Sequence, residues 1–88
     1  MALSRTASST IRVRLFARFA ELLGSDSLEL AVEGAMTVGD VLSRVRALPG
    51  GAAIGDSALI AVNLKQAALD SEVVPGDEIA VLPPLAGG

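Results

Sequence analysis

One segment carries a complete helix signature, and it limits the possible folds more than anything else in the chain. In TVGDVLSRVRALPGG, residues 37–51, Val38, Val41, Leu42, Val45 and Leu48 recur on one face at helical spacing. Thr37 can cap the start, Asp40 sits where a capping-box acid belongs, and Pro49-Gly50-Gly51 ends it. Around this single helix the apolar pattern switches to a period of two. In IRVRLF, 11–16, Ile11, Val13 and Leu15 point one way and Arg12 and Arg14 the other; in SLELAVE, 27–33, Leu28, Leu30 and Val32 alternate likewise. A strand with one apolar face must bury it against another layer. The two runs are therefore expected to pair antiparallel, with the helix packed across their shared apolar face.

The other segments complete a small mixed sheet. FARFAELLG suits a short helix, with Phe16, Phe19, Ala20 and Leu23 on one face and Gly24 as its stop. ALIAVN, 58–63, is nearly continuous in apolar residues and is expected to be a strand buried on both faces. Asn63 opens a turn, and KQAAL is expected to return as a short strand. In VPGDE, Pro75 presets φ and Gly76 supplies the positive φ that a type II turn asks of its next position. EIAVL, 78–82, is the last strand; Pro83 and Pro84 end it, since neither can donate a ladder hydrogen bond. The predicted class is α+β: a mixed sheet of four to five strands with one main helix on one face, over residues 11–82. Residues 1–10, MALSRTASST, read as a disordered extension and 83–88 as an extended tail.

Composition removes most kinds of chemistry. The chain has 88 residues, enough for one domain, and neither cysteine nor histidine. Disulfides, thiol catalysis, soft-ligand metal centres and a Ser-His-Asp triad are all excluded. With no Trp, no Tyr and two Phe, the core must rest on Val, Leu, Ile and Ala. The formal net charge of −3 lacks the basic footprint of a nucleic-acid binder. That charge is uneven: residues 1–48 carry six basic and five acidic groups, net +1, and residues 49–88 carry Lys65 against five acids, net −4. A receiver of the C-terminal half should be electropositive, and its grip should weaken with salt. No apolar run approaches the roughly 18–20 residues of a membrane span, and the start lacks the apolar core of a secretory signal, so no membrane association and a cytoplasmic location are expected.

Internal candidates for a site are weak. PGGAAIG, 49–55, is glycine-rich but follows a helix and lacks the Lys-Ser/Thr of a phosphate loop, so it reads as a helix stop. Asp77 and Glu78 are adjacent, which on a strand sends them to opposite faces; Asp77 is expected to bond backbone amides of its own turn. Arg12, Arg14 and Arg18 are the one basic cluster. Arg12 and Arg14 share a strand face that could dock an acidic partner or simply be solvated.

The terminus is different. After Leu82 come Pro83, Pro84, Leu85, Ala86, Gly87 and Gly88, which extended would span roughly 20 Å. The prolines direct the chain along a stiff, extended path, and two glycines without Cβ make its end thin enough for a narrow channel. Ordering each residue costs about 1–2 kcal/mol, which the prolines reduce and a partner must offset by burying Leu85 and bonding the backbone. The one reactive group such a tail delivers is the Gly88 carboxylate. Activated as an acyl-adenylate by an ATP-using enzyme, it would accept a sulfur nucleophile to give a thiocarboxylate, or an amine to give an amide. The terminus is then a carrier and the globule its handle.

In VRLFARFAELLG, the helix start TVGDVL, AVN at 61–63 and VPGDEIAVLPPLAGG, the chain resembles the small subunit of molybdopterin synthase, the MoaD type of ubiquitin-like sulfur carriers, over residues 11–88. The resemblance implies a ubiquitin-like β-grasp fold and no catalysis by the chain alone. It implies that an adenylating, E1-like enzyme uses ATP on Gly88, that sulfur is installed there as a thiocarboxylate, and that the chain itself binds no cofactor. It further implies that Pro83 to Ala86 are the tail inserted into a large subunit, in a heterotetramer, with Gly87 and Gly88 the residues of the chemistry, and that the sulfur goes there to the molybdopterin dithiolene. Thiazole or cysteine synthesis and ubiquitin-like protein modification share this terminus and stay open as alternatives. Docking energy is expected from Leu82 and Leu85 together with Arg12 or Arg14.

Overall fold

The computed structural model describes residues 9–32, 34–55 and 57–84. Among these residues seven strands and two helices follow in the order β1 (Thr10–Leu15), α1 (Arg18–Leu23), β2 (Ser27–Ala31), β3 (Met36–Thr37), α2 (Val38–Arg46), β4 (Leu59–Val62), β5 (Lys65–Gln66), β6 (Glu72–Val73) and β7 (Glu78–Leu82), with a 3₁₀ turn at Gly51–Ala53. Five strands form one mixed sheet in the order β2-β1-β7-β4-β5, and β3 and β6 form a separate pair. The α+β reading and the antiparallel β1–β2 hairpin, with Val13 opposite Leu28, are as expected.

Alternation decides which face of the sheet is buried. Ile11, Val13 and Leu15 of β1, Ile79 and Val81 of β7 and Ile60 of β4 are buried beneath α2. The helix returns Val38, Val41, Leu42 and Val45 to the same core. Its start is held by the predicted capping box: the Asp40 amide donates to Thr37 Oγ1 at 3.1 Å and the Thr37 amide to Asp40 Oδ2 at 3.0 Å. The same end is tied to the loop before β6, where the Val38 and Gly39 amides donate to the carbonyls of Ser71 and Leu69.

The turn before β7 is also as expected. Gly76 has φ +96°, and the Asp77 amide closes the turn onto the Val74 carbonyl at 3.0 Å. Asp77 then bonds its own turn, accepting from the Val74 amide at 2.9 Å, and accepts from Asn63 Nδ2 at 3.0 Å. Asn63 completes the link by accepting from the Glu78 amide at 3.0 Å. Two turns distant in sequence are thus pinned together at one end of β7.

Two expectations are corrected. Phe16 does not belong to the helical stripe: it precedes α1 and is 39% exposed, whereas Phe19 is 3% exposed. Ala17, at φ 56°, reverses the chain between β1 and α1 and turns Phe16 outward. Nor is ALIAVN buried on both faces. Ile60 is buried, but Leu59 is 38% exposed, because α2 covers only one side of the sheet. The two-residue strands β3 and β6 were not legible either, being too short to show a period.

The β4–β5 hairpin carries strain at an exposed position. Asn63 and Leu64 both have positive φ, 51° and 74°, and the Leu64 side chain is 91% exposed. A two-residue hairpin loop of this hand prefers Asn-Gly. Leu64→Gly is expected to stabilise the protein by about 0.5–1 kcal/mol, read as a higher urea midpoint at unchanged slope.

Candidate functional site at the root of the C-terminal tail

The tail leaves from the middle of the sheet. β7 lies between β1, to which it is parallel, and β4, to which it is antiparallel, with Leu82 opposite Leu59 and Val81 opposite both Leu15 and Ile60. Ile79 and Val81 are anchored in the core, so the strand that ends at the tail cannot shift without disturbing it. The Phe16 amide donates to the Val81 carbonyl at 3.3 Å and holds the last turn of the ladder. Pro83 is half-buried and Pro84 exposed. Gly87 and Gly88, with Leu85 and Ala86, lie outside the described residues, as do residues 1–8 of the N-terminal stretch. Thr10 opens β1 and the Ser9 carbonyl accepts from Val32, so the sheet begins inside that stretch.

The uncovered face of the sheet presents the other half of each strand. Leu82, Leu59 and Ala61, with Ile60 and Gln66, line a shallow, largely apolar hollow of about 220 Å³. Arg12 and Arg14 project from the same face of β1, as expected, but each is already paired. Arg12 Nη2 lies 3.6 Å from Glu29 Oε2, and Arg14 Nη1 lies 3.7 Å from Glu78 Oε2. Arg14 also sits 5.8 Å from the centre of the exposed Phe16 ring. All four charged side chains remain at least one-third exposed, so such pairs are weak and exchangeable for a partner's charges.

Arg18 is separated from that face. At the start of α1, it lines a second hollow of about 480 Å³ with Phe19, Ala53, Gly55, Ser57 and the two prolines of the tail root. Sequence reasoning grouped it with Arg12 and Arg14, because it could not see that Ala17 reverses the chain. It also missed Leu59, Ala61 and Phe16 as parts of the open face. The available signal was the apolar run itself: with one main helix to cover a sheet, the second apolar side of β4 has to stay open.

Among the described residues no cluster of three metal-ligating side chains occurs, and no helix is long and apolar enough to cross a membrane. Among the same residues Asp77 is engaged at both carboxylate oxygens, by the Val74 amide of its own turn and by Asn63 Nδ2. What the arrangement offers is a strand anchored in the core, an open face that is part apolar and part charged, and a tail root at their join.

Comparison with known proteins agrees with this geometry. The ThiS family model matches residues 13–88, which includes the terminal Gly-Gly. Small archaeal modifier protein 1 of Haloferax volcanii is 33% identical over 84 residues, covering 85% of this chain and 97% of its own. Its crystal structure superposes with a TM-score of 0.77 over 90% of this chain and 99% of that one. A Pyrococcus furiosus structure named molybdopterin converting factor subunit 1 is 28% identical, with a TM-score of 0.77 over 89% of this chain and all of the other. A complex of subunits 1 and 2 of the molybdopterin-converting factor of Helicobacter pylori contains the same fold, at 20% identity and a TM-score of 0.65 over 90% of this chain and 99% of that one. The β-grasp architecture and the match through to Gly88 place the chain plainly: it belongs to the ThiS family of ubiquitin-like sulfur carriers.

Proposed function

We propose that this protein is the sulfur-carrying small subunit of a molybdopterin synthase. An E1-like partner adenylates Gly88, sulfur replaces one carboxylate oxygen, and the resulting thiocarboxylate is delivered into a large subunit. There its sulfur goes to the dithiolene of molybdopterin. The observation that carries the reading is the family match running through Gly88, on a chain whose last strand is locked in the core and whose tail root opens beside an uncovered apolar face. The likeness to the Pyrococcus furiosus subunit supports the choice of acceptor. ATP is consumed by the partner; the chain supplies the carboxylate and the surface that presents it.

In this reading the large subunit covers Leu82, Leu59 and Ala61 and takes Pro83, Pro84, Leu85, Ala86 and Gly87 into its channel. Arg12 and Arg14 exchange Glu29 and Glu78 for acidic groups of the partner. Leu82→Asp places a charge where apolar area should be buried. It is expected to weaken the complex at least about thirtyfold, measured by calorimetric titration with the large subunit. Unchanged affinity would remove the open face from the interface.

A second reading has its own support. The similarity to small archaeal modifier protein 1 favours attachment of Gly88 to a lysine of another protein. Co-expression with the activating enzyme and its sulfur source separates the two. A carrier accumulates as the thiocarboxylate, whereas a modifier yields conjugates that survive reducing agents.

A further inference from the structure

The cations of this chain are unevenly chosen. Six of the seven are arginine, and Lys65 is the sole lysine. Their placement is equally uneven. Arg18 shares a hollow with Pro83 and Pro84, while Arg12 and Arg14 stand on β1 beside the strand that becomes the tail. Lys65 is exposed on the edge strand β5 and makes no ion pair among the described residues. It pairs with Val62, which pairs with Ile79, so it stands level with the start of β7, two strands across.

Arginine and lysine differ in what they do to an activated acyl group. A guanidinium keeps its proton at any ordinary pH, whereas a lysine amine loses its proton readily enough to act as a nucleophile. We propose that having arginine, and no lysine, at the tail root protects the activated terminus from its own body. Arg18, in the hollow with Pro83 and Pro84, supplies positive charge at the tail root without supplying an amine, and the one lysine is set at the limit of reach. This inference rests on the reading that the Gly88 carboxyl is activated.

The reaction being avoided is intramolecular amide formation. The neutral amine nitrogen attacks the carbonyl carbon of the glycyl adenylate and a C–N bond forms. The bond from that carbon to the phosphate oxygen breaks, AMP leaves with the electron pair, and the proton lost from nitrogen goes to solvent. Held close, such groups react at effective concentrations far above those of free amines.

Distance separates the two positions. From the level of Ile79 to Pro84 is five residues, about 17 Å at strand pitch, and two strand spacings add about 10 Å sideways. Pro84 and Lys65 are thus about 20 Å apart, against about 14 Å for four fully extended residues. The lysine stem would have to supply the remainder, with the chain reversing directly after two prolines. An amine at position 18 meets no such limit, because that side chain already lines the hollow at the tail root.

The test installs the activated acyl group chemically, so that it does not depend on any activating enzyme. Full-length protein and its Arg18→Lys variant are prepared as C-terminal thioesters by intein cleavage and held at mildly alkaline pH. Arg18→Gln and Lys65→Arg serve as controls. Arg18→Lys is expected to give a product one water lighter than the free acid, at least about tenfold more than the parent, with Gly88 joined to residue 18 in the fragment spectrum. Parent, Arg18→Gln and Lys65→Arg should end as free acid; the amine at the start of the chain is common to all four. Two results would overturn the proposal: Arg18→Lys behaving as the parent does, or the parent closing onto Lys65. Failure of the activation reading would show separately, as absence of any sulfur gain in the enzyme-dependent experiment.

Discussion

Deleting Gly88 is expected to abolish sulfur loading completely. Co-expressed with its activating enzyme and a sulfur source, the intact chain should gain the mass difference between one sulfur and one oxygen; the truncated chain should gain nothing. The reason is steric as much as chemical. Removing the last residue leaves a glycine carboxylate in place, at Gly87, but draws it back by one residue, about 3.5 Å. In-line attack on a nucleotide phosphate tolerates far less displacement than that. The fold should be untouched, since the core is built from residues between Ile11 and Val81, so an unchanged urea midpoint confirms that the loss is functional. Continued sulfuration of the truncated chain would end the carrier reading.

Gly50→Ala should have the largest effect on stability. Gly50 has φ +88°, and a Cβ there would lie 2.0 Å from the carbonyl oxygen of Leu22 and 2.8 Å from its carbon. Both obstacles are backbone at the end of α1, which cannot swing aside as a flexible side chain would. The left-handed conformation adds its own cost for any residue with a Cβ. Together these should remove roughly 3–5 kcal/mol, against the 5–15 kcal/mol typical of a small domain. Urea denaturation should show the lower midpoint, and the melting temperature should fall by about 12 °C or more, at roughly 4–8 °C per kcal/mol. Because α1 carries Arg18 and Phe19 to the tail root, any protein that still folds should also load sulfur less well. A midpoint within error of the parent would mean that α1 and the end of α2 can separate freely.

Glycine 50 also shows how far a one-dimensional reading extends. The Pro49-Gly50-Gly51 run is legible as a helix stop, and α2 does end at Arg46, just before it. The close approach to Leu22 has no trace in the sequence, because the two segments are joined only by packing. Phe16 repeats the lesson. Spacing put it in a helical stripe, but a positive φ at Ala17, a residue with no special preference for it, turned the ring to solvent.

Local chemistry determined a good deal by itself. Periodicity of two in IRVRLF and SLELAVE, the capping box at Thr37 and Asp40, the turn at Pro75-Gly76 and the strand end at Pro83-Pro84 depend on contacts within a few residues, and each is written where it acts. Tertiary structure alone decided that β1 and β7 lie parallel at the centre of the sheet, that β4 shows Leu59 to solvent beside Leu82, and that Arg18 stands with the prolines while Lys65 stands far off. Those facts depend on which strand neighbours which and on one helix covering one face. Backbone hydrogen bonds carry no side-chain label, so strand order is settled by the packing of the whole core and by no short stretch of the chain.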